Sequence, residues 1–142
     1  MDWVRWWRRV SAGRPGPEHL RRGAFGEAAA RRHLENRGLR FLAANYRSGV
    51  GEIDLIMRDG PTLVFVEVKA RSSEAWGRPA DAVDRPTRLR LSDTALAYLE
   101  ELGHPRVPFR FDIVEVLDLG GKEPEVRHLE NAFPLEPPRM YA

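Results

Sequence analysis

Residues 52 to 71 read EIDLIMRDGPTLVFVEVKAR, and no other stretch constrains the fold as tightly. Two apolar runs, GEIDLIM (51–57) and TLVFVEVKA (62–70), flank RDGP, a turn signal. The stretch therefore predicts a β-hairpin. Its second strand carries Glu67 inside a run of Val and Phe and closes on Lys69. Side chains alternate along a strand, so Phe65, Glu67 and Lys69 share one face and Val64, Val66 and Val68 the other. Glu52, Asp54 and Ile56 likewise share a face of the first strand. With a turn centred on Asp59-Gly60, Asp54 lies opposite Phe65 and Glu52 opposite Glu67, all pointing the same way. Asp54 and Glu67 are then diagonal neighbours, about 7–8 Å apart.

Two carboxylates on a sheet face repel unless something positive stands between them. Mg²⁺, or Mn²⁺ in its place, meets that need with one or two carboxylates and several retained waters. A metal-bound water is a better nucleophile, and the metal stabilises charge on a phosphate. Lys69 would orient or deprotonate that water, or hold the phosphate. The residue type is informative, because 21 of the 23 basic residues are Arg. Lysine supplies a compact charge whose pKa moves readily on burial, which arginine does not. The competing reading is a solvated hairpin face, since polar and apolar residues alternate on any half-buried antiparallel strand.

The rest of the chain supplies a sheet and its cover. A helix is expected from Pro17 or Glu18 to about Arg37, with Gly38 as its stop. Leu20, Ala24, Ala28 and Leu34 form its apolar stripe, and Glu27 and Arg31 fall inside that stripe. Glu27 is thus either turned toward the sheet or paired with Arg31 at i,i+4. LRFLAANYR (39–47) reads as the first strand. Residues 85–103 read as a second helix, with Pro86 in its first turn and Gly103 as its stop. Strands at 107–119 and 125–133 follow. The core order α-β-β-β-α-β predicts an α/β domain, a mixed sheet with helices packed on it, over residues 20–142.

Residues 1–19, MDWVRWWRRVSAGRPGPEH, stand apart as an amphipathic arm and hinge. Trp3, Trp6 and Trp7 could pack on the domain or a second subunit, stack on unpaired bases, lie on a membrane surface, or belong to a disordered terminus. No run approaches the ~18 apolar residues of a membrane span, and no secretory h-region is present, so the expected compartment is the cytoplasm. There is no cysteine, which excludes disulfides, thiolate metal sites and cysteine nucleophiles. Residues 1–50 carry 11 Arg against 4 acids, whereas the remainder is acidic. A basic half points to a polyanion. Arginines of the first helix, Arg47 and Arg71 are the expected phosphate contacts.

Six blocks occur in one order: GAFGEAAA (23–30), NYR (45–47), GEIDLI (51–56), VFVEVKAR (64–71), FD (111–112) and NAF (131–133). GEIDLI followed by VFVEVKAR resembles the D…(D/E)-x-K signature of the PD-(D/E)XK nuclease superfamily. Taken together, the blocks resemble the YraN-type family of small bacterial proteins. The resemblance implies a restriction-endonuclease-like fold, closest to archaeal Holliday-junction resolvases. It makes Asp54 and Glu67 metal ligands, Lys69 the catalytic lysine, and Glu27 the first-helix glutamate beside the metal. Ile53 precedes Asp54 where the signature has Pro. Where relatives carry a lysine near the start of the second helix, this chain has Thr87, and Arg88 or Arg90 stands in as a phosphate contact. The implied activity is Mg²⁺- or Mn²⁺-dependent cleavage of branched or structured DNA, by a homodimer because two strands are cut. A nucleic-acid-binding module that keeps the fold without cutting, or a protein-interaction domain, are the alternatives.

Overall fold

A computed structural model of the protein describes residues 21–72, 83–118, 120–121 and 123–137. The expected arm at 1–19 and the start of the first helix lie outside the described residues. Helix α1 (Arg21–Asn36) is followed by strands β1 (Arg40–Arg47), β2 (Glu52–Asp59) and β3 (Thr62–Ser72). Helix α2 (Arg85–Glu101) precedes β4 (Phe109–Asp118) and β5 (Glu125–Phe133). The strands form one sheet in the order β1-β2-β3-β4-β5. Neighbours are antiparallel except β3 and β4, which run parallel. A parallel step cannot be closed by a tight turn, and α2 lies in the chain between those two strands. The architecture is the expected one, α/β with a mixed sheet flanked by helices and consistent with a nuclease-like fold. Among the described residues no helix is long and apolar enough to cross a membrane.

Both helices end as their glycines direct. In α1, Leu39 N–H reaches Leu34 O at 3.1 Å and Gly38 N–H reaches Glu35 O at 3.0 Å. In α2, His104 N–H reaches Leu99 O and Gly103 N–H reaches Glu100 O, both at 2.9 Å. These are Schellman closures, which need a left-handed residue after the cap, and Gly38 and Gly103 have φ of +95° and +78°. At its other end α2 is capped by Asp84, whose side chain accepts from Thr87 N–H at 3.0 Å.

The sheet separates two apolar layers. On the α2 side, Ile56, Leu63, Phe65, Phe111 and Ile113 pack against Leu91, Ala95 and Tyr98. On the α1 side, Leu55, Met57, Val64, Val66, Val114 and Val116 pack against Ala30 and Leu34. The alternation of β3 therefore sends Phe65 and Val66 to opposite layers. Phe65 is central, with ring centroids 5.8 Å from Tyr98 and 5.7 Å from Phe111. Truncating such a ring to Ala removes about 3–5 kcal/mol of stability.

Two expectations of local geometry need correction. The β2–β3 register pairs Asp59 with Thr62 and Leu55 with Val66, so the loop is Gly60-Pro61 rather than Asp59-Gly60. Gly60 has φ +57°, and proline cannot take a positive φ, so of the two favoured hairpin turns only type II′ fits. The slip is two residues. It keeps each side chain's face, but brings the rung of Asp54 level with Glu67 instead of diagonal to it. In α1 the buried line is Gly26, Ala30 and Leu34, whereas Ala28 and Arg31 are exposed. Arg31 pairs with Glu35 at 2.7 Å and lies over the Phe41 ring at 3.7 Å, so it is not the partner of Glu27.

Candidate functional site

The site begins where the sheet alternation breaks. Asn45 has φ +53°, a left-handed backbone inside β1. The register places it opposite Asp54, between the pairs Ala44↔Leu55 and Tyr46↔Ile53. On both strands the core side chains then skip a step: Ala43 and Tyr46, and Ile56 and Ile53, belong to the same layer. Strict alternation of Glu52, Asp54 and Ile56 therefore does not hold at this rung. The β2–β3 ladder ends at Leu55↔Val66, and beyond it Val68 N–H is taken by Asp54 Oδ2 at 2.8 Å. Asp54 thus lies against β3 at the residue between Glu67 and Lys69.

Burial, followed by the charge of Glu67, pushes the Asp54 carboxyl up to about 8, and Glu27 and Glu52 add to the push. The Val68 N–H opposes it. Glu67 is also raised, chiefly by burial, although Lys69 and Arg90 pull the other way. Lys69 Nζ sits 3.1 Å from Glu67 Oε1. Glu27 is raised by burial and by Glu52 and Glu67, while a hydrogen bond from the Asn45 side chain lowers it. Four carboxylates, Glu27, Glu52, Asp54 and Glu67, therefore act on one another from α1, β2 and β3.

Two glycines allow this convergence. A Cβ on Gly26 would come 3.2 Å from the Ala70 Cβ, so its absence lets α1 settle on β3 and carry Glu27 inward. A Cβ on Gly51 would come 2.8 Å from Thr94 Oγ1, so the start of β2 lies close against α2. Thr94 is held in turn by Arg90 O at 2.7 Å.

Arg47, Arg71 and Arg88, all expected to meet phosphate, are each engaged within the protein. Arg47 pairs with Glu52 at 3.2 Å. Arg71 lies 3.9 Å from Glu115. Arg88 bonds Glu136 and the Val83 carbonyl, both at 3.1 Å. Of the two α2 arginines weighed against the missing lysine, Arg90 rather than Arg88 acts on Glu67.

A second polar centre was not legible as such. Buried Asp112 accepts from Arg110 Nε at 3.0 Å and from Asn131 N–H at 2.9 Å, and lies 2.7 Å from His128 Nε2. Arg37 Nη1 is 3.3 Å from His128 Nδ1. Arginine only donates, so Nδ1 accepts and Nε2–H points at Asp112. Burial pushes the Asp112 carboxyl up, but His128, Arg110 and Asn131 together hold it below the usual range. The FD and NAF blocks are thereby explained: Asp112 ties down the β5 irregularity where Asn131 has φ +52°.

Among the described residues no three carboxylate or imidazole groups gather into a set that could hold a metal ion. Glu27 therefore stands within electrostatic reach of the pair without completing a three-ligand set. Mg²⁺ asks for less, namely hard oxygens from one or two carboxylates with waters for the rest. Asp54 and Glu67, both raised by burial with Glu67 adding to the push on Asp54, match that donor chemistry.

Comparison with known proteins agrees with the blocks seen in the sequence. The profile of the uncharacterised protein family UPF0102 matches residues 26–116. A UPF0102 protein of Pelotomaculum thermopropionicum is 42% identical over 112 residues, spanning 78% of this chain and 93% of that protein. One of Nocardia farcinica is 43% identical over 111 residues, spanning 78% and 87%. One of Syntrophus aciditrophicus is 46% identical over 99 residues, spanning 70% and 78%.

Proposed function

The chain belongs to the uncharacterised protein family UPF0102, and from that premise we propose that it is a metal-dependent endonuclease acting on branched or structured DNA. The observation that carries the reading is the Asp54–Val68 hydrogen bond at 2.8 Å. It fastens one half-buried carboxylate to the backbone between a second carboxylate and the only lysine of the hairpin. Carboxyls whose charge is disfavoured both by burial and by a neighbouring acid cluster at functional sites, and Asp54 is such a group.

Asp54 and Glu67 would hold Mg²⁺ or Mn²⁺, which supplies an activated water and neutralises charge on the phosphodiester. The Val68 N–H fixes the orientation of Asp54, and the Asn45 side chain fixes Glu27. Lys69, at 3.1 Å from Glu67, presents a point charge to a non-bridging phosphate oxygen. Arg90, exposed at the start of α2, adds positive potential on the same side. Cutting both strands of a junction calls for two copies of the site, hence a homodimer, and such a substrate places the work in the cytoplasm.

The test is cleavage of branched, single-stranded and duplex DNA with Mn²⁺ or Mg²⁺, alongside calorimetric titration of each metal. Cleavage favouring the branched substrate is expected. Asp54→Asn or Lys69→Ala should lower the rate about 10²-fold or more. One observation favours a second reading, a binding module that no longer cuts: no three ligating groups gather among the described residues. DNA binding without metal uptake or cleavage would establish that module instead.

A further inference from the structure

Strand β4 is an apolar run interrupted by two carboxylates, Asp112 and Glu115. Asp112 is answered by His128, Arg110 and Asn131. Glu115 is not answered in that way. Its side chain has 0% exposure, and among the described residues neither of its oxygens accepts a hydrogen bond. The guanidinium of Arg71 approaches it, Nε to Oε1, at 3.9 Å. In the ladders Glu115 stands beside Lys69 on β3 and beside Arg127 on β5. Side chains of paired residues share a face, so Lys69, Glu115 and Arg127 form one row across the sheet, with Arg71 two positions on.

A carboxylate withdrawn from water without hydrogen bonds is tolerated only beside cations. Packing did not call for it, because Ile113, Val114, Val116 and Leu117 fill the adjoining positions. At 3.9 Å the Arg71 pair is attractive but too long to be a hydrogen bond, and the Arg71 side chain remains 27% exposed. A guanidinium carries five donors in a planar fork, so one Arg side chain can face a carboxylate and a phosphate together.

We propose that Glu115 is a buried anchor that presents Arg71, next to Lys69, to a backbone phosphate of the nucleic acid. Glu115 is a positioning residue acting through Arg71. The inference rests on the nucleic-acid reading above and extends it to a residue on a different strand.

The sign of one substitution tests it. Removing an acid from a protein that binds a polyanion tightens binding if only overall charge matters. Removing an anchor weakens it. Fluorescence anisotropy with a labelled four-way junction and a labelled duplex, in EDTA so that cleavage plays no part, reads the difference. Glu115→Gln should weaken binding by about fivefold or more, Arg71→Ala by at least as much, and the double variant no more than Arg71→Ala alone. Equal or tighter binding by Glu115→Gln, additive losses in the double variant, or an unchanged Arg71→Ala overturns the anchor. If Glu115→Gln melts below the assay temperature, Glu115→Asp, which withdraws the charge by one methylene, replaces it with the same expected sign. A wild-type protein that binds neither oligonucleotide overturns the nucleic-acid reading and the anchor together. Wild-type binding unaffected by either Glu115 variant sinks the anchor alone.

Discussion

In the folded chain the Asp54 carboxyl keeps its proton up to about pH 8, because burial and Glu67 oppose its charge. In the unfolded chain an aspartate gives up that proton near pH ~3.9. Between those values the unfolded state binds fewer protons than the folded state, so raising the pH through this window favours unfolding. Asp54→Asn cannot ionise and escapes the penalty. Its stability should match the wild type near pH 4 and exceed it by on the order of a few kcal/mol near pH 8. Thermal melts across that range read the difference. A variant less stable than wild type at both ends would mean that the Val68 contact needs a charged acceptor. Adding Mg²⁺ should recover part of the gap in the wild type and none in the variant.

At the scale of elements, β4 and β5 are held together by Asp112 as well as by their ladder. Asp112 is held below the usual carboxylate range by His128, Arg110 and Asn131 against the upward push of burial. A depressed folded value means stability that is present above the unfolded pKa and lost as pH falls through the folded one. Asp112→Asn leaves Arg110 and His128 facing a neutral group, and breaking a buried pair this way costs about 3–5 kcal/mol. Urea unfolding should show that loss near neutral pH and little of it in strong acid. This centre also marks the limit of what the sequence discloses. Alternation and RDGP disclose the hairpin, yet the loop lies one residue beyond the expected place, which slips the register by two, because Gly60-Pro61 matches a II′ turn. The buried line of α1 lies about a quarter of a turn from the expected stripe and shares Leu34 with it, since small residues at Ala24, Ala28 and Ala30 leave the buried side of an Ala-rich helix underdetermined. Asp112 was seen only as part of a block, because its partners reach it through an irregular stretch of β5 that period-two reasoning cannot anticipate. Glu115 carries the same signal as Glu67, a carboxylate inside an apolar strand, but its place beside Lys69 and Arg71 depends on a parallel register that no local pattern encodes.

For the molecule as a whole, the basic N-terminal third must be read through its ion pairs before it is read as a phosphate surface. Arg47 is half exposed, and its bond to Glu52 at 3.2 Å is a surface pair, worth ~0–1 kcal/mol. A phosphate can displace Glu52 from it at little cost. Arg88 is held more firmly, by Glu136 and by the Val83 carbonyl, and it ties the start of α2 to the segment after β5. The two arginines should therefore separate in a salt series. If affinity for duplex DNA falls with salt by counterion release, each lost phosphate contact lowers the log–log slope by ~0.9. Arg47→Ala should reduce the slope by about that amount with the fold unchanged. Arg88→Ala should leave the slope where it was and lower the melting temperature. The reverse result would move the phosphate track from β1 to α2, which is where the resemblance to junction resolvases placed it. An affinity that ignores salt altogether would instead favour a protein partner, because a polyanion bound through arginines cannot escape screening.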